Sequence, residues 1–250
     1  DQMEHIDAMI QNIRGLLAAQ SMEMNNIISD VNGIEELSNK TKEQTEDLKK
    51  ISEQLSDFGE ESVNQAILFP TQGSSISNLM TESKKLKKEI EFCLQKGLEN
   101  GEITEAMLFN PKFVKKIDAA IPRFECEYLP FFDKHIQPIL QKFKDTYSYG
   151  EILNITINDF KKFVPVCCKN FMKPLTGDVM IDAMGNFARR FFDNPLVVKI
   201  NKTVLEREFF LSSYAVPLYK LTLSDLSFAV TVNGKPWGAI RLGFQPEKMK

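Results

Sequence analysis

Apolar residues recur every seven positions along the first 58 residues. One series runs Ile6, Ile13, Gln20, Ile27, Ile34, Thr41, Leu48, Leu55, and a second runs Ile10, Leu17, Met24, Val31, Ser38, Thr45, Ser52. The two interlock at spacings of four and three, which is the seam of a coiled-coil helix. No Pro interrupts it, and Gly15 and Gly33 leave the pattern intact. A helix of this length extends ~85 Å at about 1.5 Å per residue, too far to bury its stripe on a small domain. The seam therefore calls for another helix. Its polar middle positions lower stability while fixing register or partner choice.

Gly59 and the stretch PTQGSS (70–75) are expected to close this helix. The four-three spacing resumes at Ile76, Leu79, Ser83, Leu86, Ile90 and Cys93, fading near Gly97. This predicts an antiparallel helical hairpin over 1–96. In NGEITEAMLF (100–109), Thr104 is placed to cap a short helix. After about residue 150 the period changes. EILNITIND (151–159) and KKFVPVCC (161–168) read as strands, 179–192 reads as a core-facing helix, and 195–203 as a shorter one. Strands follow at 208–221, 225–232 and 235–244. Asn233-Gly234 between the last two is the strongest short hairpin signal. The predicted class is α+β: a long helical coiled-coil hairpin, then a PAS/Cache-like domain (97–250) with a five-stranded antiparallel sheet and helices on one face.

Composition narrows the function. The chain has 250 residues, 43% hydrophobic and 26% charged, so a core can form. A net charge of −3 gives no electrostatic case for nucleic acid or an acidic membrane. No apolar run reaches the roughly 20 residues of a bilayer span, and no secretory signal is evident. Cys93, Cys126, Cys167 and Cys168 lack zinc-site spacing, and reduced cytoplasmic thiols are the plain reading. No cofactor is implied. No Ser-His-Asp, Cys-His or HExxH arrangement is present, so enzyme chemistry is not expected.

Several C-terminal stretches carry a resemblance. MKPLTGD (172–178), GNFARRFFDNPL (185–196), Tyr214, Asp225-Leu226 and VNGKPWGAIRLGF (232–244) together resemble the C-terminal sensory region of methyl-accepting chemotaxis protein homologues. The match spans roughly 97–244, and WGxxRxGF is its most specific part. The preceding helix is similar in style to a chemoreceptor signalling coil, without the hairpin tip that docks the kinase and coupling protein. Two family histidines are replaced here. Cys167-Cys168 stand where His-Asn occurs in the family, and Lys235-Pro236 stand where Arg-His occurs. The metal or polar-ligand chemistry those histidines carry is thereby put in doubt.

The resemblance implies a small-ligand site at Arg190, Tyr214, Asp225 and Trp237. Trp237 suits core packing and a pocket wall alike. Arg190, like its neighbour Arg189, suits either a bidentate carboxylate contact or a structural pair with Asp182 or Asp193. Tyr214 and Asp225 suit either orienting an amine or hydroxyl ligand or structural hydrogen bonding. Arg241 reads as a solvated strand face. Asp178 reads as a helix N-cap. The expected protein is a chemoreceptor-like signalling molecule in which a ligand between the 179–192 helix and the sheet biases a self-associating coil, as a homodimer or with a helical partner. The alternative is a non-catalytic interaction scaffold with a degenerate sensory domain, including a translocated bacterial effector.

Overall fold

A computed structural model describes residues 2–68, 75–117, 121–146, 152–216 and 221–248. Contacts divide the chain into two compact units, 1–59 and 60–250. The heptad pattern becomes helix α1 (Gln2–Leu68). The expected stop at Gly59 does not occur. Glycine in a helix interior costs about 1 kcal/mol, which neighbouring turns absorb, and it ends a helix only where the backbone turns left-handed. The expected stop around Pro70 lies outside the described residues. In the 1–59 unit the seam is exposed along its length, with Ile10 43% and Leu55 70% accessible. Two of its polar positions are satisfied locally. The Thr41 hydroxyl donates to the Leu37 carbonyl and Thr45 to that of Thr41, both at 2.8 Å.

In the 60–250 unit, α2 (Ser75–Glu99) carries Leu79, Leu86, Ile90 and Leu94 on one stripe, all buried. Then come α3 (Glu105–Phe109), a small hairpin of β1 (Val114–Ile117) and β2 (Arg123–Glu125), α4 (Leu129–Phe131), a π-helical turn Phe132–Ile136, and α5 (Gln137–Thr146). Thr104 caps α3 by accepting from the Met107 N–H at 3.2 Å. Next are β3 (Ile152–Asp159), β4 (Phe163–Val164), α6 (Val179–Gly185), β5 (Arg190–Phe191) and α7 (Pro195–Glu206). Three long strands close the fold, β6 (Phe210–Val216), β7 (Leu221–Val232) and β8 (Lys235–Phe244).

The main sheet has four antiparallel strands in the order β3-β8-β7-β6, one fewer than expected. The stretch 161–168 leaves it because Lys162 takes a positive φ of 71° and Pro165 has no N–H to give a ladder. Phe163 and Val164 pair instead with Phe191 and Arg190, and only a bridge from Cys167 to Thr156 returns to the β3 edge. The expected 179–192 helix is also shorter. Asp178 caps its start, accepting from the Met180 and Ile181 N–H groups at 2.8 and 3.0 Å. It ends at Gly185, and Arg189 (φ 62°) turns the chain into β5. Asn233 and Gly234, with φ of 50° and 74°, make the tight turn between β7 and β8.

Strand alternation gives the sheet two dissimilar faces. One face presents Ile155, Ile157, Leu226, Phe228, Val230, Ile240, Leu242 and Phe244 to the stripe of α2 and to the α4–α5 segment. On the opposite face α7 places Ile200 and Val204 against Phe210 and Ala239. Helices therefore cover both faces, not one.

Candidate functional site

The α7-side face turns polar beyond the patch that α7 covers. Register brings Ser212 opposite Asp225, and Ser227 opposite both Phe210 and Arg241. Asp225 and Arg241 are thus diagonal neighbours across β7 and β8, within reach of a long side chain. They form an ion pair whose side chains are 6% and 13% exposed. Tyr214 is the diagonal neighbour on β6, and its hydroxyl donates to Asp225 Oδ1 at 3.5 Å. Burial and the adjacent Asp225 carboxylate push the Tyr214 phenol well above its ordinary value, so it stays a neutral donor.

The WGxxRxGF motif acquires a physical account. A Cβ on Gly243 would stand 3.0 Å from Asp225 Oδ1, so the glycine leaves room for the carboxylate. A Cβ on Gly238 would stand 2.1 Å from the Asn158 carbonyl oxygen, so only glycine lets β3 approach there. Arg241, expected to be solvated, is the partner of Asp225. Asp225 stands 16 positions upstream in the chain, on the strand diagonal, where spacing along the sequence gives no sign of it.

Hydrogen-bonding capacity on this face exceeds what is used. Ser212 Oγ, Ser227 Oγ and Arg241 Nε are buried with no partner. Near α7 the Asn158 amide donates to Asn201 Oδ1 at 3.0 Å, leaving Asn158 Oδ1 and Asn201 Nδ2 unpaired. Unpaired buried polar atoms cost about 1–3 kcal/mol each, so this concentration of them marks a place that water or a ligand completes.

The other two expected residues lie elsewhere. Trp237 is the extra residue of a bulge, since Val230 pairs with Gly238 and Thr231 with Pro236. Its ring is buried beside Phe132 and Tyr128, with centroids 5.2 and 6.0 Å away, on the α2 side of the sheet. Its indole N–H donates to the Leu108 carbonyl at 3.0 Å. Its neighbours come from α3, Tyr128 at the start of α4 and the π turn, and not from the 179–192 segment. Arg190, in β5, lies over the Phe192 and Phe187 rings at 4.0 and 5.5 Å. Burial, then the charge of Arg123, lowers its pKa to about 10. No carboxylate ion-pairs with it among the described residues, so neither Asp182 nor Asp193 is its partner; Asp193 pairs with Lys162 at 2.6 Å. The fold joins Tyr214 and Asp225 and separates both from Arg190 and Trp237.

Cys167 and Cys168 are free and buried. Burial raises both thiols, and Cys167 Sγ donates to the Phe171 carbonyl at 3.2 Å. Among the described residues no group of His, Cys, Asp and Glu is placed to hold a metal ion, and no helix is long and apolar enough to cross a membrane.

No protein-family model matches the chain, and no curated protein is significantly similar in sequence. Solved structures similar to it include chemoreceptor ligand-binding domains. The sensory domain of the Campylobacter jejuni chemoreceptor Tlp3 with isoleucine bound aligns with a TM-score of 0.37 and 13% identity, over 70% of this chain and 55% of that one. The Mlp24 ligand-binding domain with asparagine gives 0.31 and 16%, over 76% and 61%. The Pseudomonas aeruginosa amino-acid chemoreceptor PctC domain in complex with GABA gives 0.31 and 13%, over 69% and 62%. The chain spans less than two thirds of the length of each, and the likeness is a loose one.

Proposed function

We propose that the 60–250 unit is a non-catalytic sensor of a small polar molecule and that Asp225, Tyr214 and Arg241 hold its ligand. The observation that carries this reading is the buried Asp225–Arg241 pair, set beside Tyr214 and three unpartnered polar atoms on one sheet face. A sheet face that only needed filling would be apolar, as the opposite face is. Asp225 offers an acceptor for an ammonium group and Arg241 a fork for a carboxylate, so a zwitterion such as a free amino acid complements both. Such a ligand would separate the pair and replace each partner with its own opposite charge, which avoids leaving a buried charge alone.

The coil completes the proposal. The exposed seam from Ile6 to Leu55 is self-complementary, and a second copy of the chain would bury it in a homodimer. Ligand binding in the 60–250 unit would bias such a coil between registers. The cytoplasmic assignment belongs to this reading and agrees with four unpaired cysteines.

A scaffold is the second reading, favoured by one observation: Asp225 and Arg241 already satisfy each other without a ligand. A thermal-shift screen of amino acids, short amines, carboxylates and purines separates the two readings. A saturable stabilisation by one class, lost in Asp225→Asn, supports the sensor; no response from any class in a folded protein supports the scaffold.

A further inference from the structure

A cavity of about 300 Å³ lies away from the main sheet, between the β1–β2 hairpin and the segments 172–175 and 186–189. Its charged lining is Lys116, Arg123, Lys173 and Arg189 against one carboxylate, Glu125, in a chain whose net charge is −3. Glu125 is shared by Lys116 at 3.7 Å and Arg189 at 3.9 Å, and Arg189 also pairs with Asp133 at 2.5 Å. Arg123 and Lys173 have no ion-pair partner among the described residues.

Arg123 is the unusual member. The residue is 4% exposed, yet its guanidinium meets only backbone carbonyls, Ile121 and Asn186 at 3.2 Å each, and its Nε has no partner. The nearby Asp182 carboxylate is already occupied by the Thr176 N–H and hydroxyl and the Gly177 N–H, at 2.7, 2.9 and 3.0 Å. Asp182 lies close enough to feel the Arg123 charge but makes no direct contact with the guanidinium among the described residues, and an anion in the cavity would supply that contact. The walls are fixed by backbone bonds: Lys173 N–H donates to Gly185, the Asn186 amide to the Lys173 carbonyl, and Phe124 N–H to the Arg189 carbonyl, at 3.1, 2.8 and 2.8 Å.

We propose that this cavity binds a small organic carboxylate, its anionic end on Arg123 and Lys173. The apolar part of the lining, including Phe124 and Leu175, suits a short hydrocarbon body and argues against a bare inorganic anion. The site is independent of the Asp225 face.

Calorimetric titration of the full chain with succinate, benzoate and inorganic phosphate at low salt tests this. One of the two carboxylates is expected to bind, to weaken as salt rises, and to lose at least about tenfold in affinity in Lys173→Gln, whose exposed side chain is not needed for folding. Arg123→Lys, if thermal unfolding shows it folded, should weaken binding further because the fork is lost. Absence of binding by both carboxylates, undiminished binding in Lys173→Gln, or a preference for phosphate would each overturn the assignment. Carboxylate binding abolished by Asp225→Asn and untouched by Lys173→Gln would move the ligand to the sheet face, refuting this site and leaving the sensor reading intact.

Discussion

The side-chain amide of Asn64 exchanges two hydrogen bonds with the backbone of Leu211. Its Nδ2 donates to the Leu211 carbonyl, and its Oδ1 accepts from the Leu211 N–H, both at 2.7 Å. Leu211 lies on β6, the edge strand of the sheet, so Asn64 supplies what a neighbouring strand's backbone would. Glu60 and Glu61, one turn earlier, pair with Lys199 at 2.5 Å and Arg207 at 2.6 Å. The last turns of α1 are thereby fastened beside Ser212 and α7. Asn64→Ala would leave two buried backbone groups unsatisfied, and a loss of about 2–4 kcal/mol is expected in urea denaturation. A loss under about 0.5 kcal/mol would show that the contact contributes nothing.

Gly238 and Trp237 give a paired stability prediction. Trp237→Ala removes a buried aromatic and should cost about 3–5 kcal/mol. Gly238→Ala, a smaller change in volume, should be at least as damaging because its methyl would meet the Asn158 backbone, which cannot rotate away. Melting temperatures that leave Gly238→Ala near wild type would contradict the close approach.

Asp159 should make stability rise on acidification. It is 3% exposed, and burial raises its pKa from 3.8 to about 6 despite bonds from the Phe163 N–H at 2.9 Å and the Tyr128 hydroxyl at 3.3 Å. With the folded pKa above the unfolded one, the folded state takes up the proton first. Ionisation therefore costs the fold about 3 kcal/mol at neutral pH, a penalty relieved as pH falls from about 6 towards 3.8. Asp159→Asn should erase this component, so wild type should gain stability relative to the variant as pH falls from 7 to 5, whichever is the more stable at pH 7. A difference that does not change with pH would refute the shift.

The exposed seam predicts self-association. Sedimentation equilibrium should give a dimer, and Ile13→Asp with Ile27→Asp should give a monomer, since two seam positions would each carry a buried charge. A monomeric wild type at high micromolar concentration would rule out the coil as a homodimer.

How legible this was in the sequence differs by element. The unbroken helix of the heptad stretch, the Asn-Gly turn, the Thr104 and Asp178 caps and the strand at 235–244 rest on local patterns and form where those patterns put them. The strand expected at 208–221 is Phe210–Val216 among the described residues, and the one expected at 225–232 begins at Leu221. The stretches 161–168 and 186–192 were misread because their outcome depends on two positive-φ residues, Lys162 and Arg189, of types that give no warning in sequence. Trp237 lies on the buried face with Val230 and Val232, but the helices covering that face are α2 to α5, and which helix covers a sheet face is a tertiary choice that leaves no local signal beside the Trp. Tyr214 and Asp225, singled out together, do lie in contact, whereas the pairing of Arg241 with Asp225 was not expected, because a lone charge on a strand reads as solvated until its diagonal partner is known.

The central claim is that Asp225 and Arg241 are a ligand site and not merely a brace. Calorimetric titration with the best amino acid from the screen, on wild type, Asp225→Asn, Arg241→Met and the double variant, tests it most directly. Saturable binding in wild type is predicted, weakened at least about tenfold by either single change, with all variants still folded. A ligand that binds the double variant as well as wild type, or no binding by any zwitterion to the intact protein, would contradict it.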